Sequence, residues 1–376
     1  MHLSDLFSFA EPLLKAEELV AFAHRHDGKA GAESFFLDGM TEAMRRIAEK
    51  SHPDYPVTIY YAFKQTEDSG DEGVASTGWD TFLSAVINAG FTITGTLPMR
   101  TEGEGRMRGM GSNALASSIV LVCRSKSTSP TVITRREFLT ELKRELPLAL
   151  KHLQEGNIAP VDLAQAAIGP GMGVYSKYEK VVDAEGNALS VRVALTLINE
   201  VLDESLAEQE GDFDADSRWS LTWFDQNGFN EGDYGIAEQL SKSKNIAVDG
   251  LVEAGIITSK FGKVRLLKPA ELSDDWDPLT DKRLSAWEIV HQLIKVLDKS
   301  GEYAASQLVK KLGANAEIAR ELCYRLYSVC ERKKRASEAM AYNSLVQSWP
   351  EINRLAAEQA IRVINPSASQ DLFSQE

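Results

Sequence analysis

The chain has 376 residues, of which 43% are hydrophobic and 26% charged, a composition typical of a globular protein with room for about two or three domains. Its formal net charge of -14 argues against broad, non-specific affinity for DNA, because a polyanion is repelled at long range. No apolar run approaches the roughly 18 residues that span a bilayer, and the first residues carry no Lys or Arg, so neither membrane insertion nor a secretory signal is expected.

Residues 1–127 alternate between helical and strand patterns and are predicted to form an α/β domain. The pattern predicts helices over Gly31–Lys50 and Trp79–Ala89, and strands over Val57–Phe63, Phe91–Met99 and Ser117–Cys123. A long glycine-rich loop, Arg100–Ala116, joins the last two strands.

The remainder divides into four predicted segments. Residues 128–206 form a mostly helical connector, in which Gly169–Gly173 is interpreted as a plain loop. Residues 207–272 combine an acidic segment with a module that resembles a winged helix. Residues 273–361 are predicted to be α-helical, and residues 362–376 a disordered tail.

The winged-helix resemblance depends on the order of elements in residues 234–268. A short helix, a turn at Ser241–Lys244 and a second helix over Ile246–Ala254, with Val248, Leu251 and Val252 facing inward, precede a β-hairpin that turns at Phe261-Gly262. In DNA-binding winged helices the second helix enters the major groove and the wing contacts the backbone. Lys260, Lys263 and Arg265, together with Lys242, Lys244 and Lys268, are then the candidate phosphate contacts; a protein-interaction module is the alternative.

Charge is segregated along the second half of the chain. Glu200 to Glu238 holds twelve carboxylates and one Arg, whereas Ser241 to Lys268 holds six Lys or Arg and two carboxylates. A further basic run, Glu331-Arg332-Lys333-Lys334-Arg335, is either the solvated face of a helix or a nucleic-acid contact.

Four segments of the chain together resemble a known family. They are Lys15–Leu19, Val57–Lys64, Thr77-Gly78-Trp79 through Gly90–Thr96, and Ser112–Arg124, of which the last is the most specific. They look like the C-terminal portion of the large adenine-specific DNA methylases that carry a zinc ribbon and lie beside phage-defence genes. The resemblance extends through Asn157–Tyr175 towards Trp349.

The resemblance implies part of a Rossmann-like methyltransferase sheet, in which Val57–Phe63 is the strand after the catalytic tetrapeptide. In that family S-adenosylmethionine lies on a glycine-rich turn after the first strand, and an Asp-Pro-Pro-Tyr turn holds the flipped adenine. This chain contains neither that tetrapeptide nor the zinc ribbon. We therefore expect a truncated or split methyltransferase that is not active alone and that uses S-adenosylmethionine only in the complete enzyme.

The loop between the last two predicted strands holds Arg100, Arg106, Arg108, Ser112 and Asn113 among glycines. It is either a DNA-contacting rim, because Arg pairs with phosphate and glycine permits close approach, or a mobile hairpin with incidental charge. Lys64, at a strand end, is either a ligand group or a solvated lysine.

The cysteines and histidines indicate no metal or redox centre. Cys323 and Cys330 are seven residues apart and share a helix face, which is typical of buried core thiols, and the six histidines have no ligand spacing. Three cysteines fit a reducing compartment, so we expect a cytoplasmic protein.

The function predicted from the sequence is that of a C-terminal fragment or subunit of a DNA adenine N6-methyltransferase in phage defence or restriction-modification. A non-catalytic subunit that binds DNA or a partner is the alternative. Because Val57–Phe63 contains no charge and no proline, its edge is expected to pair with an N-terminal methyltransferase subunit, with a second copy, or with Met1–Val20.

Overall fold

The computed structural model describes Leu19 and residues 23–61, 77–100, 117–126 and 131–364. These residues form two compact units of mixed α and β structure. The first unit comprises the described residues up to 100, together with 117–149 and 165–202; the second comprises 150–164 and 203–364.

The first unit begins with the elements that the sequence predicts. In chain order they are α1 (Lys29–Lys50), β1 (Val57–Tyr61), α2 (Thr77–Asn88), β2 (Phe91–Arg100) and β3 (Ser117–Ser125). The predicted helices and strands are confirmed within a few residues at each end, except that Ala62 and Phe63 lie outside the described residues. Aromatic and β-branched residues favour β1, and Gly90, with φ of +91°, follows the end of α2.

The three strands form one sheet in the order β1-β3-β2, and β3 is antiparallel to both neighbours. Val57 lies opposite Cys123 and Tyr61 opposite Ile119, while a bulge between Ile93 and Gly95 interrupts the β2–β3 register. The last two of these strands in the chain, β2 and β3, are thus an antiparallel pair, as the resemblance implies for the end of a methyltransferase sheet.

The core of this sheet is apolar and aromatic on the side that faces α2. Trp79, Phe82 and Leu83 of α2 are buried, and the Tyr61 ring lies 5.0 Å from the ring of Trp79 and 4.5 Å from that of Phe82. Their period of three to four residues places them on one face of the helix. Burial of these large side chains is the main stabilising contribution to this part of the unit.

The rest of the first unit includes α3 (Arg135–Glu155), α4 (Pro160–Lys177) and α5 (Val191–Glu208), each of which continues into the second unit's residue ranges. Two short strands, β4 (Val132–Thr134) and β5 (Lys180–Val182), pair in parallel, which the helical pattern of residues 128–206 does not reveal. Between β5 and α5, the Asp183 carboxylate accepts hydrogen bonds from the backbone amides of Glu185 and Asn187, which stabilise a turn there.

The interpretation of Gly169–Gly173 as a loop is wrong, because this segment lies inside α4. A Cβ at Gly169 would lie 2.3 Å from the Thr96 backbone nitrogen, and one at Gly171 would lie 2.6 Å from Ile198 of α5. The glycines are therefore required because α4 approaches both β2 and α5 closely, with no room for side chains.

Polar groups of α4 and β2 complete this contact. The Ile93 amide donates to Ser176 Oγ at 3.0 Å, and the Gly169 amide donates to Thr96 Oγ1 at 2.9 Å. Thr96 Oγ1 in turn lies 2.8 Å from the Ala166 carbonyl oxygen, to which it donates. The outer edge of β2 is thus covered by a helix, which satisfies backbone groups that an exposed edge would leave unpaired.

The second unit is mainly helical. Its elements after α5 are α6 (Ala215–Asn227), β6 (Gly232–Asp233), α7 (Tyr234–Ser243), α8 (Val248–Glu253), β7 (Ile257–Lys260), β8 (Lys263–Leu266), α9 (Ala286–Leu312), α10 (Ala314–Arg332) and α11 (Ala336–Ile364). The prediction of helix over residues 273–361 is confirmed from Ala286 onwards apart from short breaks, including Gly301, whose φ of 76° interrupts α9. Residues 273–285 are not helical.

The predicted helix, helix and hairpin of residues 234–268 are present as α7, α8, β7 and β8. The strand β6 adds to the hairpin, so that the sheet has the order β6-β8-β7 with antiparallel neighbours. Two details differ from expectation. The helix α7 continues to Ser243 through the predicted turn, and Val252 points to solvent rather than inward.

None of the described helices is both long enough and apolar enough to cross a membrane.

The close approach of α4 predicts a specific intolerance to one added methyl group. Gly169→Ala is expected to lower the free energy of unfolding by about 1–3 kcal/mol, because the new Cβ meets backbone atoms that cannot move independently. Chemical denaturation measures the change. Gly78→Ala in α2 is the control, since its Cβ would lie 3.7 Å from the nearest atom, and we expect no loss of stability there. Equal stabilities for the two variants would contradict the packing described.

Candidate functional site

The predicted DNA-contacting residues of the first unit are only partly described. Lys64, Arg106, Arg108, Ser112 and Asn113 lie outside the described residues, so their assignment stays a prediction. Arg100 is the last residue of β2 and lies opposite Ser117 of β3, at the end of the hairpin from which the glycine-rich loop departs.

The three predicted wing contacts lie together on β7 and β8, but two of them bind carboxylates of their own unit. Lys263 Nζ lies 2.5 Å from Asp233 Oδ1, and this hydrogen bond raises the lysine pKa. Arg265 binds both carboxylate oxygens of Glu271, at 2.7 and 2.8 Å, and this fork raises the pKa of the arginine. Phosphate binding at either cation would have to displace a neighbouring anion.

Lys260 differs from the other two wing cations. It ends β7 opposite Lys263 and is exposed, and no carboxylate of the described residues pairs with it. It is therefore the wing cation that is available to a partner without loss of an ion pair.

The predicted reading helix offers little that would favour DNA. Val248 and Leu251 of α8 are buried, and the solvent-facing residues are Asp249, Val252 and Glu253. Two carboxylates on the exposed face would repel the phosphate backbone. The exposed surface of α8 is better suited to a protein.

The basic run that ends α10 is used within the unit. Arg332 lies 3.0 Å and Lys333 3.8 Å from Asp225 of α6. Arg335 donates to the carbonyl oxygens of Phe224 and Asp225, and its guanidinium lies 5.1 Å from the centre of the Phe224 ring. Because the last carbonyls of a helix carry partial negative charge, these cations stabilise the C-terminal end of α6. They form neither a bare solvated face nor an open phosphate site.

At the opposite end of α6, one carboxylate caps two helices. Asp214 Oδ1 accepts from the Ser217 amide at 2.8 Å, and Asp214 Oδ2 accepts from the Ala286 amide, the first of α9, at 2.9 Å. Ser217 Oγ donates to Asp214 and accepts from the Trp287 amide at 2.8 Å. Four amides and hydroxyls that would otherwise lack partners are thereby satisfied, and the starts of α6 and α9 are held together.

Charged side chains surround this shared cap. Arg283 binds both oxygens of Asp216 at 2.6 and 2.8 Å, which raises the arginine pKa. Trp276 Nε1 donates to Asp281 at 2.9 Å. The carboxyl of Glu288 is buried beside Asp281, and its pKa is raised to about 9. Burial is the larger cause of this shift, and the nearby Asp281 is the second. At neutral pH we therefore assign a protonated Glu288 and an ionised Asp281.

Further along α9, His291 has a structural environment rather than a catalytic one. It is fully buried, and burial lowers its pKa to about 4. One ring nitrogen contacts the Trp287 carbonyl oxygen at 2.6 Å and the other the Tyr342 hydroxyl at 3.0 Å. A neutral imidazole fixed on both sides joins α9 to α11 and has no access to substrate.

The shared cap adjoins an open cavity of about 310 Å³ in the second unit. Its lining is about equally apolar and polar: the apolar residues are Phe213, Leu284, Ala286, Ile289 and Ile318, and the polar ones are Asp212, Asp214, Ser285 and Asn315. Phe213 and Ile289 are buried, whereas Asp212 and Ile318 are exposed. The cavity is suited to an apolar group with a positive charge beside it.

The thiols do not contribute a reactive centre. Cys323 and Cys330 are buried in α10, and burial raises the pKa of both, for Cys330 to about 12. Within the described ranges, no group of three or more His, Cys, Asp or Glu residues is arranged to hold a metal ion.

Sequence reasoning did not identify the shared cap or the cavity. The order Ser285-x-x-Glu288 is a recognisable signature of a helix start, and Asp214-x-x-Ser217 has a similar form. These patterns locate two helix N-termini, but not the fact that one aspartate serves both.

Comparison with known proteins gives one partial match. Residues 214–371 are similar to the family described as a domain of unknown function (DUF8807). No curated protein and no solved structure matches the chain. The matched region begins at Asp214, the residue that caps both helices.

The double cap predicts a large effect for one substitution. Asp214→Ala should lower the free energy of unfolding by about 2–4 kcal/mol, because the amides of Ser217 and Ala286, one at the start of each helix, lose their side-chain acceptor. Denaturant unfolding followed by circular dichroism measures it. Asp233→Ala is the control, since Asp233 holds the N-cap position of α7 without a capping bond and should cost about 0–1 kcal/mol. Similar costs at both positions would contradict the double cap.

Glu288 predicts a pH dependence of stability. Because its folded pKa of about 9 exceeds the unfolded value, its contribution to stability falls as pH rises from about 4.5 to 9. Glu288→Gln should be more stable than the parent by about 1–3 kcal/mol at pH 8, with the difference shrinking towards pH 5. Unfolding titrations across this range test it, and the exposed Glu208→Gln is the control. A difference that does not vary with pH would contradict the assignment.

Proposed function

We propose that the chain is the C-terminal part, or a subunit, of a DNA adenine N6-methyltransferase that acts only together with an N-terminal catalytic part. The family resemblance supplies the reaction, in which a methyl group passes from S-adenosylmethionine to the adenine amine. The contribution of this chain is the sheet of its first unit, with the loop that carries Arg106 and Arg108 as the proposed DNA rim.

The observation that carries the proposal is the difference between the two edges of this sheet. The outer edge of β2 is covered by α4, with hydrogen bonds from Ile93 to Ser176 and between Thr96 and the backbone of α4. Among the described residues, β1 pairs with β3 alone, and its other edge has no strand partner there. An uncharged strand with an open edge is a template for strand addition. The resemblance implies a partner for this edge, namely the strand that carries the Asp-Pro-Pro-Tyr turn in the N-terminal part of the enzyme.

The order of elements gives further support. A strand, a helix and a final antiparallel pair are what the resemblance implies for this part of a methyltransferase, and β1, α2, β2 and β3 have that order.

The described residues do not fit a donor site. A donor cradle needs glycines that leave open space after a strand, whereas Gly169 and Gly171 face Thr96 and Ile198 at distances that leave none. For this reason the proposal assigns S-adenosylmethionine binding to the N-terminal part, and no catalytic step is assigned to this chain.

A non-catalytic, partner-binding subunit remains the second candidate. It is favoured by the internal ion pairs of Lys263 and Arg265 and by the carboxylates on the exposed face of α8. These features reduce the positive charge that a DNA-binding wing needs.

The test begins with the reading frame just upstream: if it encodes a polypeptide with an Asp-Pro-Pro-Tyr turn, that polypeptide is combined with the chain, and transfer of labelled methyl groups to adenine in duplex DNA is measured. We expect transfer by the pair and none by the chain alone. A pair that forms a stable complex but transfers no methyl group would support the partner-binding alternative.

Variants of the open edge show whether β1 is the junction. Thr58→Lys with Tyr60→Lys places charge on the exposed side of β1 and should abolish both complex formation and methyl transfer. Leu97→Lys places the same charge at an exposed position of β2, whose edge is already covered, and should leave both unchanged. Loss of activity in the control alone would locate the junction elsewhere.

The isolated chain is expected to bind S-adenosylmethionine with a dissociation constant above about 100 μM, because the residues described form no donor cradle. Calorimetric titration of the purified chain measures this constant. Tighter binding would contradict the assignment of the donor site to an N-terminal part.

A further inference from the structure

The tip of the β7–β8 hairpin exposes an aromatic side chain completely. Phe261 has a φ of 51° and Gly262 a φ of 72°, and the Phe261 side chain makes no contact that reduces its exposure. Tight turns with positive φ at both central residues favour Asn-Gly or Asp-Gly, because a bulky side chain is strained there. Phe261 therefore strains the turn, and its apolar ring is exposed to water. Neither the turn nor the packing of the unit explains a phenylalanine at this position.

The charges around Phe261 argue against a role as a wedge between DNA bases. Lys263 is neutralised by Asp233, and Lys260 is the adjacent cation that is available. One unpaired cation at the hairpin tip, among the residues that the structure describes, gives little affinity for a phosphate backbone. An exposed aromatic ring with one cation beside it is complementary to a cavity that has both apolar residues and a carboxylate.

The second unit itself contains a cavity that has both apolar and acidic residues in its lining. The cavity of about 310 Å³ has walls that include Phe213, Ile289 and Ile318, and the exposed Asp212 lies at its rim. Its volume is sufficient for a phenyl ring, and its charge is complementary to Lys260. The exposure of Phe261 shows that it does not enter the cavity of its own molecule.

We infer that the chain self-associates by inserting Phe261 of one copy into this cavity of a second copy, with Lys260 beside Asp212. Two copies can exchange the contact reciprocally about a two-fold axis, which closes the assembly as a dimer. The buried area at each contact is small, so the association is weak and appears at high protein concentration. This inference does not depend on the proposed methyltransferase role, because it uses neither β1 nor DNA.

Sedimentation velocity between about 10 and 500 μM protein tests the inference, in the concentration range where small interfaces associate. The parent chain should shift towards the dimer as its concentration rises, whereas Phe261→Asn should stay monomeric. The Asn variant should fold at least as well as the parent, because Asn-Gly suits the turn. Ile318→Asp, at the mouth of the cavity, should also remain monomeric.

A charge exchange tests the pairing itself. Lys260→Glu should weaken association about tenfold, and the double variant Lys260→Glu with Asp212→Lys should restore it. Tyr303→Asn removes a different exposed aromatic side chain of α9 and should associate like the parent.

Three outcomes would overturn the inference: a parent chain that is monomeric throughout, a Phe261→Asn variant that still associates, or a charge exchange that restores nothing. In the same buffer, a 20-base-pair duplex serves as the DNA probe. Binding of this duplex that is lost in Phe261→Asn would assign the tip to DNA and also overturn self-association.

Discussion

The second unit depends on the carboxylate of Asp214, which fixes where two helices begin. By accepting from the amides of Ser217 and Ala286, it sets the start of α6 against the start of α9. From that point the two helices bring Phe224 and Trp287 together, with ring centres 5.6 Å apart, and His291 extends the aromatic cluster to Tyr342 of α11. Arg335 holds the opposite end of α6. Similarity to a family of domains beginning at residue 214 is consistent with a folding unit that starts at this cap.

Acidic and basic side chains that are segregated along the sequence form ion pairs with one another within this unit. Glu210 of the acidic stretch binds Arg325 at 2.6 Å, Asp225 binds Arg332, and Asp233 binds Lys263. Acidic and basic segments that are distant in sequence therefore neutralise one another. Basic runs that suggest a nucleic-acid surface when they are considered alone are thus partly neutralised, because phosphate would have to displace these carboxylates.

The sequence predicted elements whose signals are local, and missed those that depend on a distant partner. The apolar period of α2 and the β-branched run of β1 were sufficient to locate them. Gly169–Gly173 was misinterpreted because its helical state depends on Thr96 and Ile198, which lie far away in sequence and leave no room for side chains. Likewise, the lysine and arginine of the wing were visible in the sequence, but their pairing with Asp233 and Glu271 was not. Val252 has the apolar character of a core residue and yet is exposed.

Two features remain that the stability of the isolated chain does not explain. Burial, capping and ion pairing account for the core of each unit, and α4 shows how this fold covers a strand edge when nothing else adjoins it. The outer edge of β1 lacks such a cover among the described residues, and Phe261 is fully exposed in a strained turn. Both features lower the stability of a protein that works alone, since an open edge invites aggregation and an exposed ring gains nothing from burial. Each becomes favourable when a second polypeptide covers it, so the physical argument for a chain that works in an assembly is independent of any resemblance.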